Sequence, residues 1–505
     1  MKIKRLVYPL ILMLISASIT LQAQQNNKLL DRSFWRSNPS VKEVKKLVKA
    51  GNSPTEFNGN MFDATSNAIL ENASLPVIKY LVGQGNDVNK ITHDHRTYLF
   101  WAALRSNLEV MEFLKNEGTD FSILDDSGTS ALMFAARGGV TDPKVYEFFK
   151  ANGFDLGTHK HRNGRNIILM AAGGLKDLSL VDYFVAEGAD VHATDKDGNG
   201  LFHYAAVTGN AQLLKDLVAK YNISYAANKK TNQNAFHFAA NARLNKDSQP
   251  LALYAYLESL GLDPTMVTTS GANVLHSLVN RTNDVSLIKY FVDKGVYPNQ
   301  VNESRNTPLL IAAARGSLDE VSYLASVSNA INHQNKEGHT ALTRAMKYNQ
   351  MDVVEMLVKE GADLKVLDKK GFDLSYHVAE AAGRNLKLLE AKLSYLKKKG
   401  LNPQAAQPDG STLLHAVIGK KNKDMLKMLM DMGIDVNAKD NSGQTILHHA
   451  AMQAENDELL KFLLQAGADK KVLTEFEESA YDLAKENEIL SSSKVNIDFL
   501  KPSDQ

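Results

Sequence analysis

The 505-residue chain contains no cysteine. That excludes thiol catalysis, cysteine-based zinc sites and lipid anchoring at a cysteine, and it fits an oxidising compartment where stray thiols are a liability. Beyond the N-terminal apolar run, no stretch approaches the length of a membrane span. An excess of one charge is also missing: 58 basic and 57 acidic residues leave +1, so nothing global points to nucleic acid. Catalytic signatures are absent as well. There is no Gly-x-Ser-x-Gly elbow, no His-Glu-x-x-His and no Gly-x-x-x-x-Gly-Lys-(Ser/Thr) phosphate loop. The chain is read as no enzyme, with no cofactor and no metal site.

What is present begins with an export pattern. Met1 to Arg5 is a basic opening, Leu6 to Ile15 an apolar core, and Ser16 to Ala23 a small and polar approach to a cut after Leu21-Gln22-Ala23. The ending Leu21-Gln22-Ala23-Gln24-Gln25 resembles export signals of Bacteroidota-type Gram-negative bacteria. Residues 1–23 are expected to be a cleavable signal peptide, and the mature chain to work in the periplasm or as a secreted protein. Losing Lys2, Lys4 and Arg5 takes the 58 basic residues to 55 against 57 acidic, a net of −2.

One pattern then recurs from end to end. Gly128 to Ala136 reads Gly-x-x-x-Leu-x-x-Ala-Ala, Gly443 to Ala451 matches it, and Thr307 to Ala313 and Gly338 to Leu342 repeat its parts. A closing half follows within each repeat: Gly188-Ala189-Asp190-Val191, Gly361-Ala362-Asp363-Leu364 and Gly467-Ala468-Asp469. A period of about 33 residues means a stack of small helical units. In the unit that opens at Asp195-Lys196-Asp197-Gly198, the Asp/Gly pair makes a tight turn and a short helix carries Ala205 and Ala206. Leu213, Leu214, Leu217 and Val218 then sit at helical spacing on a second helix. No unit buries its own apolar face, so each leans on the next.

These residues resemble the ankyrin-repeat family, whose units open on Thr-Pro-Leu-His-x-Ala. Thr307-Pro308-Leu309-Leu310 keeps the proline, while Asn273-Val274-Leu275-His276, Thr412-Leu413-Leu414-His415 and Thr445-Ile446-Leu447-His448 keep the histidine. The resemblance spans residues 58–472, on the order of 12 units. It implies an all-α repeat solenoid of helix-turn-helix units with β-turn tips and polar end caps. Residues 24–57 read as a linker and degenerate capping unit, with a helix from Lys42 to Ala50 stopping at Gly51. Residues 473–505 read as a C-terminal cap and tail with a helix at Ser479 to Ala484. The family places the imidazoles of His203, His237, His276, His415 and His448 as braces between units. Gly200 in place of Thr and Tyr221 in place of Gly depart from the pattern.

A longer period overlies the short one. Phe100, His203, Leu310 and His415 stand 103, 107 and 105 residues apart, which suggests triplets of units duplicated in blocks of about 105 residues. Extra sequence enters at Thr141-Asp142-Pro143, Leu244 to Pro250 and Ala381 to Lys392, and is expected between the helices of its units.

Family geometry puts partner contacts on the turn tips and the ends of the first helices. Carried over, these are His93, Asp94, Arg96, Leu104 and Arg105; Lys196, Asp197, Asn199, Val207 and Thr208; and Lys336, Glu337, His339, Lys347 and Tyr348. Trp101 is expected in the packing between units. A basic segment adds Lys420, Lys421 and Lys423. From Arg384 to Lys427 ten basic residues, Lys392 among them, face only Glu390, Asp409 and Asp424, a net of +7, so the segment is a candidate dock for an acidic partner. His93-Asp94-His95 and His159-Lys160-His161 are expected as exposed polar tips. They lie two units apart and cannot share an ion.

The expected function is a non-catalytic protein-binding scaffold or adaptor of the bacterial periplasm, monomeric, with no nucleic acid and no membrane span. A secreted effector acting on host or competitor proteins, or an accessory factor to an envelope enzyme such as one of oxidative stress, are the alternatives.

Overall fold

The computed structural model describes residues 27–242, 249–279, 281–282, 284–383 and 385–502. The export pattern, most of the Leu244–Pro250 insertion and Arg384 lie outside the described residues. Regular structure among them is helical, with four isolated β-bridges, each closing a single turn. None of these helices is long and apolar enough to cross a membrane.

The chain divides at Asn228/Lys229 into two compact units. Each is a stack of helix pairs, so the fold is an all-α repeat solenoid. Among the described residues of 58–472 there are twelve pairs, five in the first unit and seven in the second, from Ala64–Leu70 with Leu75–Val82 to Ile446–Gln453 with Glu458–Gln465.

The repeat opening at Asn335 shows why this sequence folds as it does. The Asn335 Oδ1 accepts the N–H groups of Glu337 and His339 at 3.0 and 2.9 Å, closing the turn from inside. Gly338 has φ +86°, and a Cβ there would lie 2.6 Å from the Lys369 nitrogen of the next turn, so only glycine fits. Thr340 then caps the first helix, Ala341–Tyr348, accepting from the Thr343 N–H at 3.2 Å. The second helix, Met351–Lys359, buries Val353, Val354 and Leu357. It stops at Gly361, where φ +94° lets the Ala362 N–H return to the Leu357 carbonyl at 2.9 Å.

Neighbouring repeats are joined at three levels. Tip to tip, the Lys336 N–H donates to Ser304 O at 3.0 Å and the Lys369 N–H to Glu337 O at 2.9 Å. First helices pack side by side, as Pro308–Arg315 does on Ala341–Tyr348, with Ala312, Ala313 and Ala345 wholly buried where the backbones approach. The motif histidines form the third level. The Nδ1 of His276, His415 and His448 accepts the N–H of its own helix cap, and the Nε2 donates to a carbonyl of the following turn. That pattern requires the neutral Nε2–H tautomer, and burial lowers the pKa of all three.

Thr141 and Asp142 lie between the paired helices Ala131–Arg137 and Pro143–Ala151 as expected, with Asp142 as cap and Pro143 as first residue of the second helix. A second expected insertion takes another form. Most of Ala381 to Lys392 is helical, because Leu386–Lys398 begins earlier than a loop insertion would allow. Its Lys392 is buried, and the Nζ donates to the carbonyls of Met346 at 2.7 Å and Ala345 at 3.3 Å. At the ends of the described chain, Trp35 is fully buried with its Nε1 donating to Leu29 O at 2.8 Å, ahead of the helix Val41–Lys49. After the last pair come Ala480–Glu486 and Glu488–Ser492.

Candidate binding surface

Each turn sorts its side chains into one that holds the backbone and others that face solvent. In the turn after Asp195, the Oδ1 accepts from Asp197 N and Asn199 N at 3.0 and 2.8 Å. Lys196 and Asp197 are exposed at the tip, while Asn199 is buried with its Nδ2 donating to Asp195 Oδ2. In the turn after Asn335, Lys336 and Glu337 are exposed and His339 is half-buried. Tyr348, at the end of the first helix, is 47% exposed with Arg344 and Lys347 over its ring. Asp94 and Arg105 are also exposed; His93 is half-buried, stacked 4.7 Å from Phe62. Trp101 is buried against Phe134. Leu104, Val207 and Thr208 are half-buried.

Three of the residues assigned to partner contact are internal. Arg96 is buried: its guanidinium lies 3.0 Å from Asp125, 2.9 Å from Asp94 and 4.4 Å over the ring of Phe134. Asn199 serves the turn. The side chain of Lys347 is 9% exposed, with Nζ 2.6 Å from Glu380.

The basic segment is also changed by folding. Lys392 leaves the surface, and Lys421, Lys423 and Lys427 meet Glu455, Glu458 and Asp431 at 2.5, 2.9 and 3.0 Å. Lys420 donates to Glu380 O at 2.8 Å. The carboxylates that meet these three lysines lie beyond the stretch over which +7 was counted. Exposed pairs like these are worth under about 1 kcal/mol each, yet they cancel much of the field the lysines would present.

The histidine tips differ too. His161 is buried, bonded through Nε2 to Ser127 O at 3.2 Å in the preceding turn, and His159 is half-buried on Ser130 Oγ at 3.1 Å. Neither they nor His93 and His95 form a metal-competent group among the described residues. Two other groups do: His339, Asp368 and His377, and His415, Asp440 and His449. Both contain a relationship that recurs along the chain. The residue leading a turn faces the residue nine further on: Thr92 and Trp101 at 2.9 Å, Asp195 and Tyr204 at 2.5 Å, Asp368 and His377 at 3.3 Å, Asp440 and His449 at 3.0 Å. That nine-residue spacing between Asp and His was the available signal for both groups.

Family models described as ankyrin repeats match residues 66–160, 275–368 and 377–474 in one case and 161–218 in another. The chain belongs to the ankyrin-repeat family. It is 34% identical over 28% of its length to the nuclear factor NF-kappa-B p105 subunit of Gallus gallus, of which it spans 14%. It is 26% identical over 33% of its length to alpha-latrotoxin-Lg1a of Latrodectus geometricus, of which it spans 12%. Among solved structures it resembles the ankyrin repeat domain of human ASB11, at 20% identity and a TM-score of 0.37, covering 46% of this chain and 99% of that one. Ankyrin arrays are protein-interaction scaffolds, and the chain is one in that general sense. The chain spans only 14% and 12% of the two longer relatives, so the family fixes the scaffold and leaves the partner to the exposed tips.

Proposed function

We propose that this ankyrin array is a non-catalytic adaptor of a bacterial periplasm, monomeric, holding a protein partner on its turn tips and first-helix ends. The division of labour at the tips carries this reading. Asp195 and Asn335 lock their turns through backbone N–H groups, so the exposed side chains of Lys336 and Glu337 can vary without loosening the turn that carries them. Exposed side chains on a fixed backbone are what selective recognition requires. Export rests on the Met1 to Ala23 pattern and the cysteine-free composition.

The test is crosslinking of the exported protein in its own envelope, followed by affinity capture and mass spectrometry, with cell fractionation and N-terminal sequencing alongside. The expected result is one dominant partner and a mature chain starting at Gln24. Capture should be lost in a Lys336→Glu, Glu337→Lys, Tyr348→Ala variant that melts like the parent. Recovery from the culture medium with no envelope partner would overturn the periplasmic reading. Loss of capture on reversing Lys420, Lys421 and Lys423 instead would move the surface to the basic segment.

A further inference from the structure

His377 is buried at 4% exposure, and neither ring nitrogen has a hydrogen-bond partner. A buried imidazole with both nitrogens unmet is rare and calls for a physical reason. Asp368 Oδ2 lies 3.3 Å from Nε2 but is too poorly aligned to bond. Asp368 cannot easily turn away, because its Oδ1 accepts the N–H groups of Lys370 and Phe372 at 2.8 and 2.9 Å. His339 completes the group. Its ring stands perpendicular to that of His377 with centroids 4.8 Å apart, and one ligand atom from each of the three residues falls within 4.8 Å of the others.

We propose that His339, Asp368 and His377 form a three-ligand site for a borderline divalent cation of the Zn²⁺ class, with the fourth position open to water or to a partner's side chain. Zn²⁺ bonds to imidazole nitrogen and carboxylate oxygen at about 2.0–2.1 Å, so two ligands of a tetrahedron sit about 3.3 Å apart. The separation of Asp368 Oδ2 and His377 Nε2 is already that edge, and it is long for a hydrogen bond. The two backbone bonds to Asp368 Oδ1 act as the outer support that fixes a carboxylate ligand. His339 is half-buried at the turn and needs a shift of up to about 1.5 Å to bring the three ligand atoms from within 4.8 Å of one another to that edge. The charge balance permits the ion: the cations that act on the two imidazoles are Lys347 and Arg344, offset by Glu337 and by Glu380, whose carboxylate lies 2.6 Å from Lys347.

The similar group at His415, Asp440 and His449 serves as an internal control. There the His415 Nδ1 accepts the Thr412 N–H at 3.1 Å and Nε2 donates to Gln444 O at 3.2 Å, so binding an ion would break a brace between repeats. His449 Nε2 is already bonded to Asp440 Oδ2 at 3.0 Å. The fold uses one group for its own cohesion and leaves the other unsatisfied.

The experiment uses the tag-free full chain, stripped with chelator and titrated at neutral pH with Co²⁺, read by visible absorption and by competition with Zn²⁺. One ion per chain is expected, with a thermal melting point that rises with metal. His339→Ala and Asp368→Asn, which circular dichroism should show folded, should each weaken binding at least tenfold. His449→Ala should bind like the parent. Absence of a saturable Co²⁺ spectrum would overturn the assignment. So would binding that survives both His339→Ala and Asp368→Asn, or that disappears in His449→Ala instead.

Discussion

The Arg96 guanidinium lies 3.0 Å from the Asp125 carboxylate, which belongs to the next turn and is wholly buried. Asp94 and the rings of Trp101 and Phe134 also surround it, so the arginine ties two repeats together at their tips. Removing one member of a buried pair strands the other, at a cost near 3 kcal/mol. Arg137, 3.6 Å from Asp125, softens that cost. Arg96→Ala should therefore lower the urea midpoint by the equivalent of about 2–3 kcal/mol. A change under about 0.5 kcal/mol, the scale of ordinary surface substitutions, would show that the pair is not a structural tie.

Histidines set the acid side of the stability curve. Burial pushes the pKa of His203 and His237 down to about 4 from an ordinary value of 6.5. The unfolded chain then binds protons that the folded chain refuses between pH 6.5 and about 4, so stability is complete above 6.5 and falls as pH drops through this window. Each such site contributes a slope of about 1.4 kcal/mol per pH unit. Denaturation midpoints measured at pH 7 and pH 5 should separate clearly. His237→Gln should reduce that separation by one site's share, and an unchanged separation would remove His237 from the account.

The repeat period, the C-terminal glycines and the bracing histidines were legible because each is a local backbone requirement. Gly361 needs positive φ, and His448 reaches its own helix cap three residues back. The surface was less legible because its character is set across repeats. Arg96 reads as a tip residue until Asp125 is placed 29 residues on, and Lys347 until Glu380 is placed 33 on. The basic segment looked unopposed because Glu455 meets Lys421 from 34 residues away. Register tells which residues reach a tip; it does not tell which way a long side chain turns once a neighbouring repeat offers it a charge. The group at His339 escaped for the same reason, since Asp368 lies one repeat further along.

Lys392 offers a test in the opposite pH range. Burial lowers its pKa to about 8 from 10.5, while its Nζ caps the carbonyls of Ala345 and Met346 at the end of a neighbouring helix. Between pH 8 and 10.5 the unfolded chain holds this proton and the folded chain does not, so this group makes stability rise with pH across that interval and penalises the fold fully below 8. Lys392→Met removes both the penalty and the cap, so it should change stability at pH 7 by only about 1 kcal/mol either way. The difference between parent and variant should then shift in the parent's favour from pH 8 to 10.5. A difference that stays constant with pH would show that Lys392 is charged and well solvated in the fold.

Asn437 clamps one repeat to the next through a pair of hydrogen bonds. Its Nδ2 donates to Gly467 O at 3.0 Å and its Oδ1 accepts from Asp469 N–H at 2.7 Å, so it satisfies both sides of the glycine that ends the following second helix. Asn332 does the same with Gly361 and Asp363, and Asn89 with Gly118 and Asp120. Asn437→Ala gives up two hydrogen bonds to groups that water can reach, worth about 1–2 kcal/mol together. In a stack whose stability is a sum of neighbour interfaces, that loss stays local and makes the repeats beyond the weakened junction open on their own. Hydrogen exchange should show protection falling at the Asp469 amide and through Glu458–Gln465 and Ala480–Glu486, while Pro308–Arg315 keeps its rates. Asn437→Asp should fall between parent and alanine variant on the Oδ1 side only, since a carboxylate still accepts from Asp469 N–H but repels Gly467 O. Uniform loss of protection across residues 229–502 would mean that this compact unit opens as a whole and that the junction carries no separate stability.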